Sequence, residues 1–328
     1  MTNRRFCKVL VIVVIIASAS FGVIDFGLAK SGAAAFGADN FLSSEFEYGG
    51  TRIEVSFIDG VPRIGKMAIL DWVKRCAKAV DRYYGQMPVK RLRVKIQNTR
   101  GDEIGFSTTG IARGVSEIEV PVGIDIPKKC LDEDWVLTHE MVHLAFPIVA
   151  WKDRWLTEGM ATYVEPIARL QIGNIDEKEV WADLIKNTPK GQARSENDPL
   201  KGSRRIDRIY WGGAIFCLVA DVELRKRSKN KIGLQHILSY VARSGENIYS
   251  DDDPRDALLR ASGSPELKAS SDLLVKLYDQ FSSGMVVPNL SALFDYLGVS
   301  GVRSSVVFDD RAPGAAIRKA INNNLASE

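Results

Sequence analysis

Apolar and polar positions alternate with a period of two over three stretches, all ahead of residue 125. In Arg52 to Ile58, the residues Ile53, Val55 and Phe57 alternate with Glu54 and Ser56. Leu92, Val94 and Ile96 alternate with Arg93, Lys95 and Gln97. Over Val115 to Val122, Val115, Glu117 and Glu119 fall on one side and Ile118, Val120 and Val122 on the other. A period of two places alternate side chains on opposite faces, so each stretch predicts a strand. Between the first two, residues 64–84 change to helical spacing. Met67, Leu70, Trp72, Val73, Cys76, Ala77 and Val80 cover one broad face, and Gly85 and Pro88 end it. Residues 99–114 hold glycines at 101, 105, 110 and 114 and read as a loop.

From Asp132 the period is helical. Asp132, Glu133 and Asp134 place negative charge at a helix N-terminus, and that helix runs through His143 towards a stop at Pro147. Further helices are predicted from about Leu156 to Leu170, from Gly212 to Arg227, and near 230–243, 254–261, 265–282, 289–296 and 312–325. The polar segment 186–205, with Pro189, Gly191, Pro199 and Gly202, reads as an exposed, mobile connection and a candidate lid. The pattern predicts an α+β chain: a small, sheet-bearing lobe over 41–131 and a mainly helical lobe over 132–328. No repeat is visible.

The first 40 residues belong to neither pattern. Arg4, Arg5 and Lys8 precede an apolar run from Val9 to Ala19, which reads as a signal peptide over 1–29 with small-residue cleavage sites at Ala17-Ser18-Ala19 and Gly27-Leu28-Ala29. Uncleaved, the same segment would serve as an N-terminal membrane anchor. Residues 30–40, rich in Gly, Ala and Ser, read as a flexible leader. Export to the periplasm or the exterior follows. There an oxidising environment permits a disulfide among Cys76, Cys130 and Cys217, with buried thiols as the alternative. The 328 residues carry 44 Lys and Arg against 41 Asp and Glu, a net charge of +3, which points to no nucleic-acid partner. Removal of residues 1–29 takes away three cations and one acid and leaves +1.

The chemistry is concentrated in His139-Glu140-Met141-Val142-His143. Residues four apart on a helix lie about 40° apart in azimuth and one turn apart in height, so both imidazoles reach one Zn2+. Glu140, beside the first of them, can take a proton from a water that the metal activates. The chain has 3 His, and two of them are here. A catalytic zinc takes three protein ligands and keeps one open position. Glu158, in Trp155-Leu156-Thr157-Glu158-Gly159-Met160-Ala161, follows after a reversal near Pro147 and supplies the third.

His-Glu-x-x-His followed by Trp-Leu-Thr-Glu-Gly-Met-Ala resembles the gluzincin metallopeptidases, the group that contains thermolysin and the membrane alanyl aminopeptidases. Tyr210-Trp211-Gly212-Gly213-Ala214 with Asp221-Val222-Glu223-Leu224-Arg225 is similar to the glycyl aminopeptidase branch, as is Phe308-Asp309-Asp310-Arg311-Ala312-Pro313. The resemblance covers roughly residues 130–320. It implies a thermolysin-like zincin fold and one Zn2+ per chain held by His139, His143 and Glu158. It makes Glu140 the general base and Tyr210 the hydrogen-bond donor to the tetrahedral oxyanion. A peptide or protein substrate would add its backbone to the strand at 115–122. The Gly-x-Met-Glu-Asn segment that binds a free amino terminus in the alanyl aminopeptidases is absent. Glu117 or Glu119 would have to replace it for aminopeptidase activity. Thr162 and Glu165 are candidates to support the third ligand. The alternative is a catalytically inactive zinc-binding relative that acts as an envelope peptide-binding or scaffold module.

Overall fold

The computed structural model describes residues 42–195, 198–244, 253–301 and 305–323. The segments read as a signal peptide or anchor, 1–29, and as a leader, 30–40, lie outside the described residues. The architecture is mixed α/β, with a sheet-bearing part followed by a helical part.

Five strands form the main sheet: β1 (Leu42–Tyr48), β2 (Thr51–Ile58), β3 (Arg91–Thr99), β4 (Thr108–Ala112) and β5 (Val115–Gly123). Their order is β1-β2-β3-β5-β4. β2, β3 and β5 are parallel neighbours, and the two edge strands run antiparallel to theirs. Helix α1 (Lys66–Tyr84) is the crossover that parallel β2 and β3 require. It ends at Gly85, whose φ of 75° is the left-handed geometry a glycine adopts without steric cost.

The register aligns the apolar positions into rows across the sheet. Val55 pairs with Val94 and Val94 with Ile118; Phe57 pairs with Ile96 and Ile96 with Val120. These side chains share one buried core with Ile69, Trp72, Val73 and Val80 of α1. Each such burial contributes about 1.5–3 kcal/mol. The opposite face is ionic, with Arg93 bonding Glu54 and Glu117.

Two readings of the sheet change. The glycine-bearing stretch 99–114 contains β4, because Thr108–Ala112 pairs with Val115–Glu119 through a tight turn in which Arg113 and Gly114 both take positive φ. β5 is therefore internal, and the edge beside the helices is β4. β1 also escaped the sequence reading.

The helical part begins with the short α2 (Lys128–Asp132) and α3 (Val136–His143). Asp134 caps α3: its two carboxylate oxygens accept from the Val136 and Leu137 amides at 3.0 and 3.1 Å. After a 3-10 turn over Trp151–Asp153 comes the long α4 (Arg154–Gln171). α5 (Glu177–Asn187), not expected, precedes the connection to α6 (Gly213–Arg227). α7 (Leu234–Arg243), α8 (Pro254–Leu259), α9 (Lys268–Ser282), α10 (Leu290–Leu297) and α11 (Ala315–Asn322) follow, with a two-residue ladder between β6 (Val299–Ser300) and β7 (Val307–Phe308).

The connection read as exposed and mobile is anchored. Thr188 and Leu200 are completely buried, and Arg208 donates to the carbonyls of Gly191 at 2.6 Å and Asp198 at 2.8 Å. It packs on the turn before α6 because Gly191 lies directly against Trp211 and Gly212. Cys76 and Cys217 are buried free thiols, so no disulfide joins any two of Cys76, Cys130 and Cys217. Among the described residues no helix is long and apolar enough to cross a membrane.

Candidate metal centre

α3 and α4 bring three donors to one point. The Nε2 atoms of His139 and His143 lie 3.3 and 3.6 Å from the same oxygen, Oε2 of Glu158. All ligand-capable atoms of the trio fall within 4.8 Å of one another. The helical spacing explains the two rings, which meet edge to face with centroids 5.0 Å apart. Trp135, one turn before His139, packs on its other side at 5.6 Å. Two imidazole nitrogens and a carboxylate oxygen converging in a half-buried setting are the chemistry of a zinc donor set.

The electrostatics agree with that convergence. Burial pushes the Glu158 carboxyl up, but hydrogen bonds from His139 and His143 and their charge outweigh it and hold it far below the usual carboxylate range. Burial lowers His143, and its bond to Glu158 more than restores it, leaving it raised.

Glu140 stands outside the trio. Its Oε2 accepts the Thr109 hydroxyl at 2.6 Å, and the same hydroxyl lies 2.9 Å from the Glu140 carbonyl oxygen. Thr109 pairs with Ile118 and so ends the apolar row Val55–Val94–Ile118 at the sheet edge. The strand pattern thus puts one hydroxyl on the face that meets α3. No motif announces Thr109; only the alternation of a strand hidden among glycines would have found it.

Tyr210 lies in a π-helical turn, Arg208–Gly212, that leads into α6. Such widened turns swing a side chain out of the regular helical row. Its ring stacks on His139 at 6.1 Å, with the planes 18° apart. Burial first, then the charge and hydrogen bond of Glu158, raise its phenol well above 10, so it remains a proton donor at neutral pH. The approach of α6 to α4 depends on two glycines. A Cβ on Gly159 would sit 2.3 Å from the Gly213 Cα, and one on Gly213 would sit 2.1 Å from the Trp155 carbonyl oxygen. Backbone contact at this crossing is what lets Glu158, next to Gly159, and Tyr210, one turn before Gly213, face one space.

The remaining candidates fall elsewhere. Glu117 and Glu119 occupy the sheet face away from Thr109 and α3, where Lys95 binds them at 2.6 and 3.1 Å. The Thr162 hydroxyl donates to the backbone carbonyl of Glu158 at 2.7 Å, not to its carboxylate. Glu165 bonds Arg169 at 2.9 Å, two turns from the ligand. One residue the motifs do not flag is Arg154, one turn before Glu158 on α4, whose charge acts on Tyr210.

No family model and no curated protein matches the sequence. Among solved structures, an aminopeptidase N family protein from Idiomarina loihiensis superposes with a TM-score of 0.54 at 15% identity over 79% of this chain and 49% of that one. The chain shares that fold. An M1 zinc metallopeptidase from Deinococcus radiodurans reaches 0.47 at 16% identity over 76% of this chain and 52% of that one. This chain therefore spans about half the length of these neighbours.

Proposed function

We propose that the chain is a zinc-dependent peptidase of thermolysin-like build, hydrolysing peptide bonds at the cluster on α3 and α4. The observation that carries this reading is the division of labour on α3. His139 and His143 converge with Glu158 on one point, while Glu140 between them is turned to Thr109 and kept out of the donor set. A structural cation site would have no use for a carboxylate held alongside it.

Zn2+ held by His139, His143 and Glu158 would polarise the scissile carbonyl and lower the pKa of a water. Glu140, its Oε2 fixed by Thr109, offers Oε1 to take the proton of that water and return it to the departing amine. Tyr210, kept protonated, donates to the oxygen that gains negative charge in the transition state. The substrate backbone pairs with the free edge of β4, in place of β5.

Glu117 and Glu119 are not placed to recognise a free amino terminus. β4 carries Thr108, Thr109, Gly110, Ile111 and Ala112 with no acid among them. Glu117 and Glu119 sit on the opposite sheet face. The fold neighbour's name includes aminopeptidase; an amine anchor for such an activity would have to come from residues other than Glu117, Glu119 and β4.

The test is digestion of a diverse peptide mixture by the zinc-loaded chain and by Glu140→Gln, read by mass spectrometry. The expected loss in the variant is about 10²- to 10⁴-fold, the usual contribution of a general base. Bound zinc with equal cleavage by both proteins, or with none by either, would defeat the reading; the second result would favour a zinc-binding peptide module.

A further inference from the structure

From the same site, and resting on the peptidase reading, we infer that Arg154, assisted by Arg204, recognises a carboxylate on the substrate, so that the preferred substrates are peptides bearing a negative charge near the scissile bond.

Arg154 opens α4 and shares a helix face with Glu158, about 6 Å along the axis from it. Its guanidinium lies 4.8 Å from the centroid of the Trp151 ring, and the Arg204 guanidinium lies over the same ring at 6.0 Å. Two like charges thus share one indole at the edge of the metal cluster. Neither forms an ion pair with a described residue, and the Nε of Arg154 is buried without a hydrogen-bond partner. The contrast with their neighbours is sharp. Arg194 and Arg205 bond Asp207 at 2.9 and 3.1 Å, and Arg205 bonds Asp198 at 2.6 Å. Arg208 spends its donors on two carbonyls. The one acid beside Arg154 in sequence, Asp153, is turned inward to Lys201 at 3.4 Å and Tyr278 at 3.1 Å.

The arrangement is also held in place. The Gly202 amide donates to the Lys152 carbonyl at 2.7 Å, which ties the segment carrying Arg204 to the one carrying Trp151 and Arg154. A stacked guanidinium loses little further freedom on binding and presents a planar fork of donors that fits a carboxylate. An anion placed there would meet the guanidinium forks and relieve the repulsion between the two arginines. The charge could sit on the substrate's C-terminal carboxylate or on an Asp or Glu side chain; both present the same group to the fork.

The experiment uses one cleavable peptide in four forms: C-terminal carboxylate or amide, each with a single Glu or Gln near the cut. Values of kcat/KM are measured for the full chain, Arg154→Gln and Arg204→Gln. Dissociation constants for the same peptides are measured on zinc-loaded Glu140→Gln with and without Arg154→Gln. We expect a charged form to be favoured about 10- to 100-fold in both readouts, with the ratio collapsing towards one in Arg154→Gln and falling less in Arg204→Gln. Dependence on the carboxylate terminus or on the Glu identifies the source of the charge. Equal cleavage and equal binding of all four forms, unaffected by Arg154→Gln, would overturn the inference, as would no binding of any form. Charge- and Arg154-dependent binding without cleavage would uphold the anion site and refute the peptidase reading instead.

Discussion

Helix α4 carries two arginine–glutamate pairs at spacing four, and they behave in opposite ways. At its start, Arg154 and Glu158 do not meet: Glu158 is taken by His139 and His143, and the arginine stacks on Trp151. Near its end, Glu165 and Arg169 bond at 2.9 Å and are both almost completely buried. Order along the helix contributes, since an acid placed N-terminal to a base is the favourable orientation and the first pair has the reverse. Surroundings decide the rest. Arg169 also donates to the Asn174 side chain at 2.9 Å and the Glu133 carbonyl at 3.2 Å, and Asn174 reaches the Asp132 carbonyl at 3.0 Å. That end clamps α4 to the segment leading into α3, where Asp134 caps the helix and accepts the Trp72 indole at 3.0 Å. One end of the helix pairs its acid with its own base; at the other the acid lies against two histidines and the base against an indole.

The difference can be broken from either side. The largest effect belongs to the open end. Glu158→Gln should cost zinc affinity well beyond the 10- to 100-fold typical of groups that merely support a ligand, and with it the proposed peptidase activity. The midpoint of unfolding in chelator should move little by comparison. Metal analysis after dialysis against graded chelator, beside a thermal melt of the metal-free chain, checks both halves. A variant that keeps stoichiometric zinc would remove Glu158 from the centre.

At the closed end the signs reverse. Arg169→Met leaves Glu165 buried without its partner and frees the Asn174 and Glu133 contacts, at a cost of about 3–5 kcal/mol. The fraction that remains folded should still bind zinc. Denaturant unfolding of the metal-free variant reads the cost, and zinc titration reads the site. A fall in zinc affinity at full stability would mean that this pair belongs to the metal centre after all.

How much of this was legible in the chain varies with how local the signal is. His139 and His143 are set by one helix, so their spacing alone predicted that they converge, with Glu140 beside them. Glu158 lies a reversal away, so the sequence offered it only as the third donor a zinc would want and the resemblance then supported it; the Gly159–Gly213 crossing that brings Tyr210 to it rests on missing Cβ atoms, which carry no periodicity. The central strands β2, β3 and β5 announced themselves because their buried faces alternate. β4 did not, because Gly110 lies within it and Gly114 in its turn, which is why Thr109 was missed and β5 mistaken for an edge. Glu117 and Glu119 looked available because their partners, Arg93 and Lys95, come from another strand. The segment 186–205 looked mobile because its polar residues find one another, with Arg205 on Asp198 and Asp207, a pairing no linear pattern records.

The smallest effect concerns the protonation of the closed end. Burial pushes the Glu165 carboxyl up to about 7, with Arg169 holding it back and Asp134 and Asp183 adding to the rise. A folded state with the higher pKa binds the proton more readily than the unfolded chain. The contribution is therefore fully present below pH 4.5 and is lost as pH rises through about 7. Its steepest slope approaches about 1.4 kcal/mol per pH unit between those limits. Glu165→Gln removes that slope. Both proteins are compared by denaturant unfolding at several pH values in a Glu158→Gln background, so that metal uptake contributes nothing. A stability curve that falls from pH 5 to 7 with Glu165 and flattens without it marks a carboxyl that structure, not chemistry, keeps buried. Parallel curves would mean that Arg169 neutralises Glu165 fully, making the closed end an ion pair throughout this range.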